Sequence, residues 1–186
     1  MPGGPSRKRQ PKAIRLTGID EAREDFANLP AAIRKTISSI INTKAKAIQA
    51  DIVQRISADG FAQTSVKTRI KLGRASTKND EATLTLSTKR VPFSRVKFTT
   101  HLLDQTGTRA SVFVLRGGKR VQVYGFVNPY GKKQKPLIRY MKAGKQRLVV
   151  AGGVGLKQWW DSILTEDYLS SIRSELASQI TQELTK

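Results

Sequence analysis

The sequence predicts an α+β fold with a long N-terminal helix, a central antiparallel basic β-sheet containing a hairpin, and a long amphipathic C-terminal helix. Three observations predict it. Apolar residues recur mostly at spacings of three and four between Pro30 and Ser57, as on one face of a helix. The pair Gly117-Gly118 separates two alternating runs, which is a hairpin signal. From Leu169 to Leu184 the apolar residues again recur every three or four positions, as in an amphipathic helix.

The chain begins with a short segment rich in proline, glycine and basic residues. Residues 1–12, MPGGPSRKRQPK, hold three Pro and two Gly, a composition typical of a flexible basic arm. We place this arm at residues 1–18 and predict one domain over residues 19–186. The arm is expected either to stay a solvated tail or to become ordered on a neighbouring protein or on DNA.

The first helical region follows the arm. Asp20-Glu21 opens a short acidic turn, and Asn28-Leu29-Pro30 interrupts it. The long helix then starts with Pro30 in its first turn, where proline is tolerated, and Gly60 is a plausible stop. Residues 61–78 are basic and weakly patterned, so both a short basic helix and an ordered loop fit them.

A run of strands is predicted next. Alternation around Leu84 indicates a strand, and residues 110–116 and 119–127 form the hairpin. Two more strands are expected at residues 137–141 and 146–150. Residues 152–155, Gly-Gly-Val-Gly, lack the Lys-Ser/Thr ending of a phosphate-binding P-loop, so we interpret them as a flexible connection to one final helix over residues 156–184.

Net charge is the main functional signal. The chain carries 34 Lys and Arg against 14 Asp and Glu, a formal charge of +20, which usually indicates a polyanionic partner. Residues 67–157 hold +18 of it, and residues 158–186 are mildly acidic at −3. Phe113 and Phe126 are expected to face the core. Because the sequence shows no zinc-finger spacing, RNA-recognition sheet signature or glycine clamp, nucleic acid would be met by charge without base readout. The candidate DNA-facing residues are Lys67, Arg69, Lys71, Arg74, Lys132, Lys133 and Lys135. The other interpretation is that these are solvated faces and charge-protected strand edges.

Enzyme chemistry is poorly supported. The chain has no cysteine, so disulfides and thiolate metal sites are excluded. Its single histidine, His101, lies in a polar segment with Asp104 three residues on, and Asp80-Glu81 has the character of a turn. We predict no catalytic residue, no metal site and no cofactor. No apolar run approaches the roughly 18 residues of a membrane span, so no membrane partner is expected.

Four stretches together resemble the lambda-type phage minor tail protein Z (tail-completion protein) family. They are IRKTISSIINTKAKAIQADIVQRI in the first helix, VKTRIKLGRAS leading into EATLTLSTKRVPFSRVKF, the hairpin SVFVLRGGKRVQVYGFV, and the closing KAGKQRLVVAGGVGLKQWWDSI. The likeness covers residues 19–184 and consists of the order of elements, the basicity and the closing strand–turn–helix. This chain has Gly-Gly-Val-Gly where a proline-containing turn is expected, and it carries the extra arm PSRKRQPK.

The resemblance implies a non-enzymatic virion protein of a long-tailed phage, located in the tail or neck and made in the host cytoplasm. It implies a homo-oligomeric ring, with six copies expected from tail symmetry, that completes the tail, supports head–tail joining and lets DNA pass. Implied partners are the tail terminator, the head–tail connector and the tail tube or tape-measure proteins. Candidate oligomer or partner contacts are Arg7, Lys8, Arg9, Trp159 and Trp160. Two alternatives remain: a sequence-nonspecific nucleic-acid-binding protein of ribosomal or nucleoid type and, more remotely, a phage nuclease.

Overall fold

The computed structural model confirms the α+β class: a long helix lies near each end of the sequence, and most of the antiparallel strands lie between the two. It describes residues 12–16, 29–102, 110–128, 136–142 and 144–185. In chain order the elements are β1 (Lys12–Leu16), α1 (Ala31–Ala58), α2 (Gln63–Lys67), β2 (Ile70–Gly73), β3 (Ala82–Leu86), a 3-10 turn (Phe93–Arg95), β4 (Thr99–Leu102), β5 (Ala110–Arg116), β6 (Lys119–Val127), β7 (Leu137–Lys142), β8 (Lys145–Val150), α3 (Lys157–Ile163) and α4 (Glu166–Leu184).

The chain forms two compact units, where the sequence predicts one domain over residues 19–186. The first unit comprises Met1–Ile52, Arg69–Thr88 and Trp160–Lys186, and the second comprises Val53–Thr68 and Lys89–Trp159. Each unit has its own antiparallel sheet, so the single predicted sheet is two. The strand order is β1-β3-β2 in one sheet and β4-β5-β6-β7-β8 in the other.

Helix α1 supplies much of the first unit's core. It starts one residue after Pro30, whose carbonyl accepts the backbone N–H of Arg34 at 3.1 Å, and this confirms the predicted start. Most of its apolar positions are buried because they recur on one face, with Ile41 and Ile52 fully enclosed. On the polar side, Asn42 exchanges two 2.9 Å hydrogen bonds with the backbone of Ala75, and the Gln49 amide donates to the carbonyl of Ile70 at 2.7 Å. These bonds hold strand β2 and the residues after it beside the helix.

Strand β1 lies within the segment predicted as a flexible arm. Residues 12–16 pair antiparallel with β3, with Ile14 opposite Leu84, so that part of the predicted arm 1–18 is ordered. The pairing satisfies backbone groups along one edge of β3, a long-range contact that composition does not reveal. The rest of the arm, residues 1–11 and 17–18, lies outside the described residues.

The C-terminal helix is interrupted, which corrects the single helix predicted for residues 156–184. Thr165 adopts an extended backbone, and its hydroxyl accepts the Tyr168 N–H at 3.3 Å. Glu166 and Asp167 occupy the first turn of α4, where acidic side chains favour a helix start. The cap therefore ends α3 and begins α4.

Helix α4 is tied to α1 by polar contacts. The Tyr168 hydroxyl donates to the Asp51 carboxylate at 2.7 Å, and Lys44 pairs with Glu175. The hydrogen bond from Lys44, and then its charge, lower the pKa of Glu175. Because a lowered pKa stabilises the fold above the unfolded pKa, this contribution is lost as pH falls through the folded pKa.

The second unit is built on the predicted hairpin. Strands β5 and β6 have the predicted bounds, and Gly117 and Gly118 both have positive φ, at 57° and 76°, as a type I′ turn requires. Gly60, with φ 94°, follows α1 and confirms the predicted stop. In the described part of the chain, no helix is both long enough and apolar enough to cross a membrane.

Candidate nucleic-acid interface

The five-stranded sheet of the second unit has one buried and one open face. Val112 and Val114 of β5 are 0% and 2% exposed, and they mark the buried face. The residues between and after them, Phe113 and Leu115, point to the other face. The hairpin register sets Phe113 opposite Gln122 and Leu115 opposite Arg120, so these four side chains share the open face.

Two arginine side chains lie over phenylalanine rings on this open face. The Arg120 guanidinium carbon is 5.7 Å from the centre of the Phe113 ring, and its Nη2 donates to the Thr99 hydroxyl at 2.9 Å. The Arg139 guanidinium carbon is 6.0 Å from the centre of the Phe126 ring. Both distances fit cation–π contact. We define Phe113, Arg120, Phe126 and Arg139 as the arginine–phenylalanine face.

The arginine–phenylalanine face corrects one expectation from the sequence. Phe113 and Phe126 were expected in the core, but both are only partly buried. Phe126 pairs with Ser111, and a bulge shifts the pairing register between Ser111 and Val112. This shift places Phe126 on the open face. A bulge changes which side chains share a face, and alternation in the sequence does not reveal it.

Positive charge is concentrated in the same unit. Counted along the sequence, residues 53–68 and 89–159 hold 18 Lys and Arg and 2 Asp and Glu, a net charge of +16. The remaining residues hold 16 basic and 12 acidic residues, a net charge of +4. Basic residues together with aromatic rings on an open sheet are typical of surfaces that bind nucleic acid without reading its sequence.

One of the two acidic residues of this unit, Asp59, is buried and serves the fold. Its carboxylate accepts the N–H groups of Gly117 at 2.8 Å and Gly118 at 3.3 Å. It also accepts the indole N–H of Trp159 at 3.0 Å. The carboxylate therefore joins the end of α1, the tip of the hairpin and the start of α3. We call these residues the Asp59 clamp.

The four candidate DNA-facing residues of the basic segment belong to two different units. Lys67 ends α2 in the second unit, whereas Arg69, Lys71 and Arg74 belong to the first unit. Lys71 and Arg74 are exposed, and Arg69 is partly buried. The segment divides because Ile70 is buried and starts strand β2, which joins the first unit's sheet.

The remaining candidates have different outcomes. Lys132, Lys133 and Lys135, like Arg7, Lys8 and Arg9, lie outside the described residues. Trp159 and Trp160 are each 2% exposed, which corrects their proposed role as partner contacts. Burial follows from packing: the Trp159 ring meets Phe61 edge-to-face at 4.9 Å, and its N–H also donates to the Leu115 carbonyl at 3.1 Å.

The residues considered for catalysis belong to different units, His101 to the second and Asp80 and Glu81 to the first. His101 is exposed on strand β4, while Asp80 is buried and Glu81 partly buried before β3. The Glu81 carboxylate accepts the Thr83 hydroxyl at 3.0 Å, and Asp104 lies outside the described residues. Within the described ranges, no group of three or more His, Asp or Glu residues is placed to hold a metal ion.

The Gly-Gly-Val-Gly segment is an ordered contact, which corrects its interpretation as a flexible connection. Val154 and Val91 exchange two backbone hydrogen bonds of 2.8 Å. Gly153 has φ 114°, and a Cβ placed there would lie 2.1 Å from the Val91 carbonyl oxygen. The glycine is therefore needed for close backbone approach.

Comparison with family models, curated proteins and solved structures gave no match to this chain.

Proposed function

We propose that the chain is a structural protein of a long-tailed phage particle that completes the tail as an oligomeric ring near the tail terminator. In this role it supports head–tail joining and the passage of DNA, and it catalyses no reaction. The proposal rests on the family resemblance of the sequence. The observation that carries it in the structure is the net charge of +16 in one compact unit whose sheet also exposes large apolar residues on its edge strands.

Charge and apolar exposure suit two different neighbours. A surface of this charge attracts the phosphate backbone at any sequence, as a DNA conduit requires. Exposed apolar residues favour protein neighbours. A ring needs a heterologous contact between copies, so one unit that offers both kinds of surface fits a component assembled around DNA.

The test is a null mutation in the phage that encodes the chain, with complementation from a plasmid. We expect complete heads and tails that stay unjoined, or joined particles that do not infect, with infectivity restored by the plasmid. Electron microscopy and plaque counts measure this, and antibody labelling locates the chain in purified particles. Normal infectious particles without the chain would refute the proposal.

A second candidate is a sequence-nonspecific nucleic-acid-binding protein of ribosomal or nucleoid type. The observation that favours it is the arginine–phenylalanine face. Aromatic rings on an open sheet can stack with bases, and neighbouring arginines neutralise phosphates. Here two rings lie under two guanidinium groups, at 5.7 and 6.0 Å. Such a face would suit single-stranded nucleic acid.

Replacing Arg120 and Arg139 together with alanine tests this second candidate. We expect single-stranded DNA affinity to fall roughly tenfold, with the slope of log affinity against log salt about 1.4 smaller, because two phosphate contacts are lost. Fluorescence anisotropy with mixed-sequence oligonucleotides measures both. The matched control, Lys46→Ala with Arg173→Ala, removes two exposed charges from the first unit and is expected to change affinity less than about threefold. Equal losses in the two variants would reject the arginine–phenylalanine face.

A further inference from the structure

Exposed large apolar residues collect at the two edges of the five-stranded sheet. Among the described residues, five such side chains are exposed: Leu102 at 52%, Leu115 at 40%, Leu148 at 58%, Val149 at 38% and Val150 at 60%. Four of the five lie on β4 or β8, and these two strands are the ends of the strand order β4-β5-β6-β7-β8. The apolar exposure is therefore a property of the sheet edges and not of one face.

One of these edges has no charged residue or proline to prevent strand pairing, and on the other the charged residues occupy only the first half of the strand. An edge strand presents backbone N–H and C=O groups to any strand that can reach them, and proteins commonly guard it with lysine, proline or a bulge. Strand β4, Thr-Thr-His-Leu, contains no Lys, Arg, Asp, Glu or Pro. In β8 the basic residues Lys145 and Arg147 precede the apolar run Leu148–Val150.

We infer that strand β8 of one copy pairs with strand β4 of a second copy and continues the sheet from chain to chain. This rests on the proposed function, whose ring interface it specifies. A second copy fits because one sheet offers both halves of the contact. Since the two edges differ, the contact is heterologous and repeats, as a ring requires.

Charge also favours this arrangement. Each copy carries +20, so two copies repel each other, and the repulsion is smallest when the segments that touch are uncharged. Strand β4 and the Leu148–Val150 half of β8 are uncharged segments within the basic unit, with the histidine neutral. Pairing them joins backbone groups and covers apolar side chains, and leaves the arginine–phenylalanine face available to DNA.

The first test measures the mass of the full chain by sedimentation at several concentrations and at high salt. We expect the wild type to be an oligomer, and Leu148→Lys with Val150→Lys to be monomeric. Leu102→Lys, on the opposite edge, is expected to have the same effect. The matched control is Leu115→Lys, an exposed leucine on the interior strand β5, which should remain oligomeric. Circular dichroism checks that each variant is folded. A monomeric wild type, or edge variants that assemble normally, would overturn the inference.

Single cysteines give a second test because the chain has none of its own. Mixing Leu102→Cys protein with Val149→Cys protein under mild oxidation should give a covalent dimer, and either protein alone should give little. Dimers from one variant alone, or none from the mixture, would argue against β4–β8 pairing. If no cross-linked dimer forms but the phage test gives unjoined particles, only the proposed interface is rejected. Cross-linking together with normal null-mutant particles rejects only the phage function.

Discussion

Replacing Asp59 with alanine is expected to lower the free energy of unfolding by about 3 kcal/mol, because several N–H groups lose their shared acceptor. Asp59 is 8% exposed, and its carboxylate accepts from Gly117, Gly118 and Trp159. Trp159 keeps a second acceptor in the Leu115 carbonyl, so most of the loss falls on the two hairpin amides. Chemical denaturation measures the change.

Asparagine at position 59 separates the contribution of shape from that of charge. It keeps the size and one acceptor oxygen but directs an amide donor at N–H groups, so we expect a loss of about 2 kcal/mol. The control is Asp167→Asn, an exposed acid in the first turn of α4, with an expected loss of about 0.5 kcal/mol. An Asp59→Ala protein as stable as the wild type would show that the Asp59 clamp does not stabilise the hairpin.

The parts of the fold that could be predicted depend on signals within a few residues. The Gly117-Gly118 turn set the bounds of both hairpin strands, and the apolar spacing of α1 set its ends to within about one residue, the usual scatter of helix boundaries. The burial of β3 alternates residue by residue, as the pattern around Leu84 predicts. Each of these elements carries its own periodicity and its own stop.

The parts that could not be predicted depend on partners far along the chain. Strand β1 forms because β3 offers an edge, and β4 forms beside β5, yet neither short segment has a strong strand pattern. The division into two units follows from such pairings. The break between α3 and α4 is a different case, because Thr165 followed by Glu166 and Asp167 is a local cap signal that the continuous apolar spacing masked.

Part of the arginine–phenylalanine face could have been predicted from the sequence. A two-residue turn fixes the hairpin register, so Arg120 is opposite Leu115 and diagonal to Phe113, a position from which a long side chain can reach a ring. The pairing of Phe126 with Leu137, which brings Arg139 to the same face, depends on strand pairing that the sequence pattern does not fix. The Asp59 clamp could not be predicted from the sequence either, since Asp59 and Gly117 are 58 positions apart.

Replacing Gly153 with alanine is expected to cost about 4 kcal/mol, the largest effect of any single change proposed for this protein. Two penalties combine: an L side chain is strained at φ 114°, and its Cβ would lie 2.1 Å from the carbonyl oxygen of Val91. Relief requires the backbone to move apart, which breaks the paired hydrogen bonds between Val91 and Val154. Denaturant midpoints measure the loss, and the soluble yield on expression is expected to fall with it.

Substitutions at two other glycines show whether backbone strain or the close approach to Val91 contributes more to this cost. Gly152 has no positive φ, and a Cβ added to it would meet no atom within 4 Å, so Gly152→Ala should change stability by less than about 0.5 kcal/mol. Gly144 has φ 73° but open space, so Gly144→Ala should cost about 1 kcal/mol from backbone strain alone. If Gly153→Ala costs no more than Gly144→Ala, the close approach to Val91 is not a constraint in solution, and the segment is the flexible connection that its composition suggests.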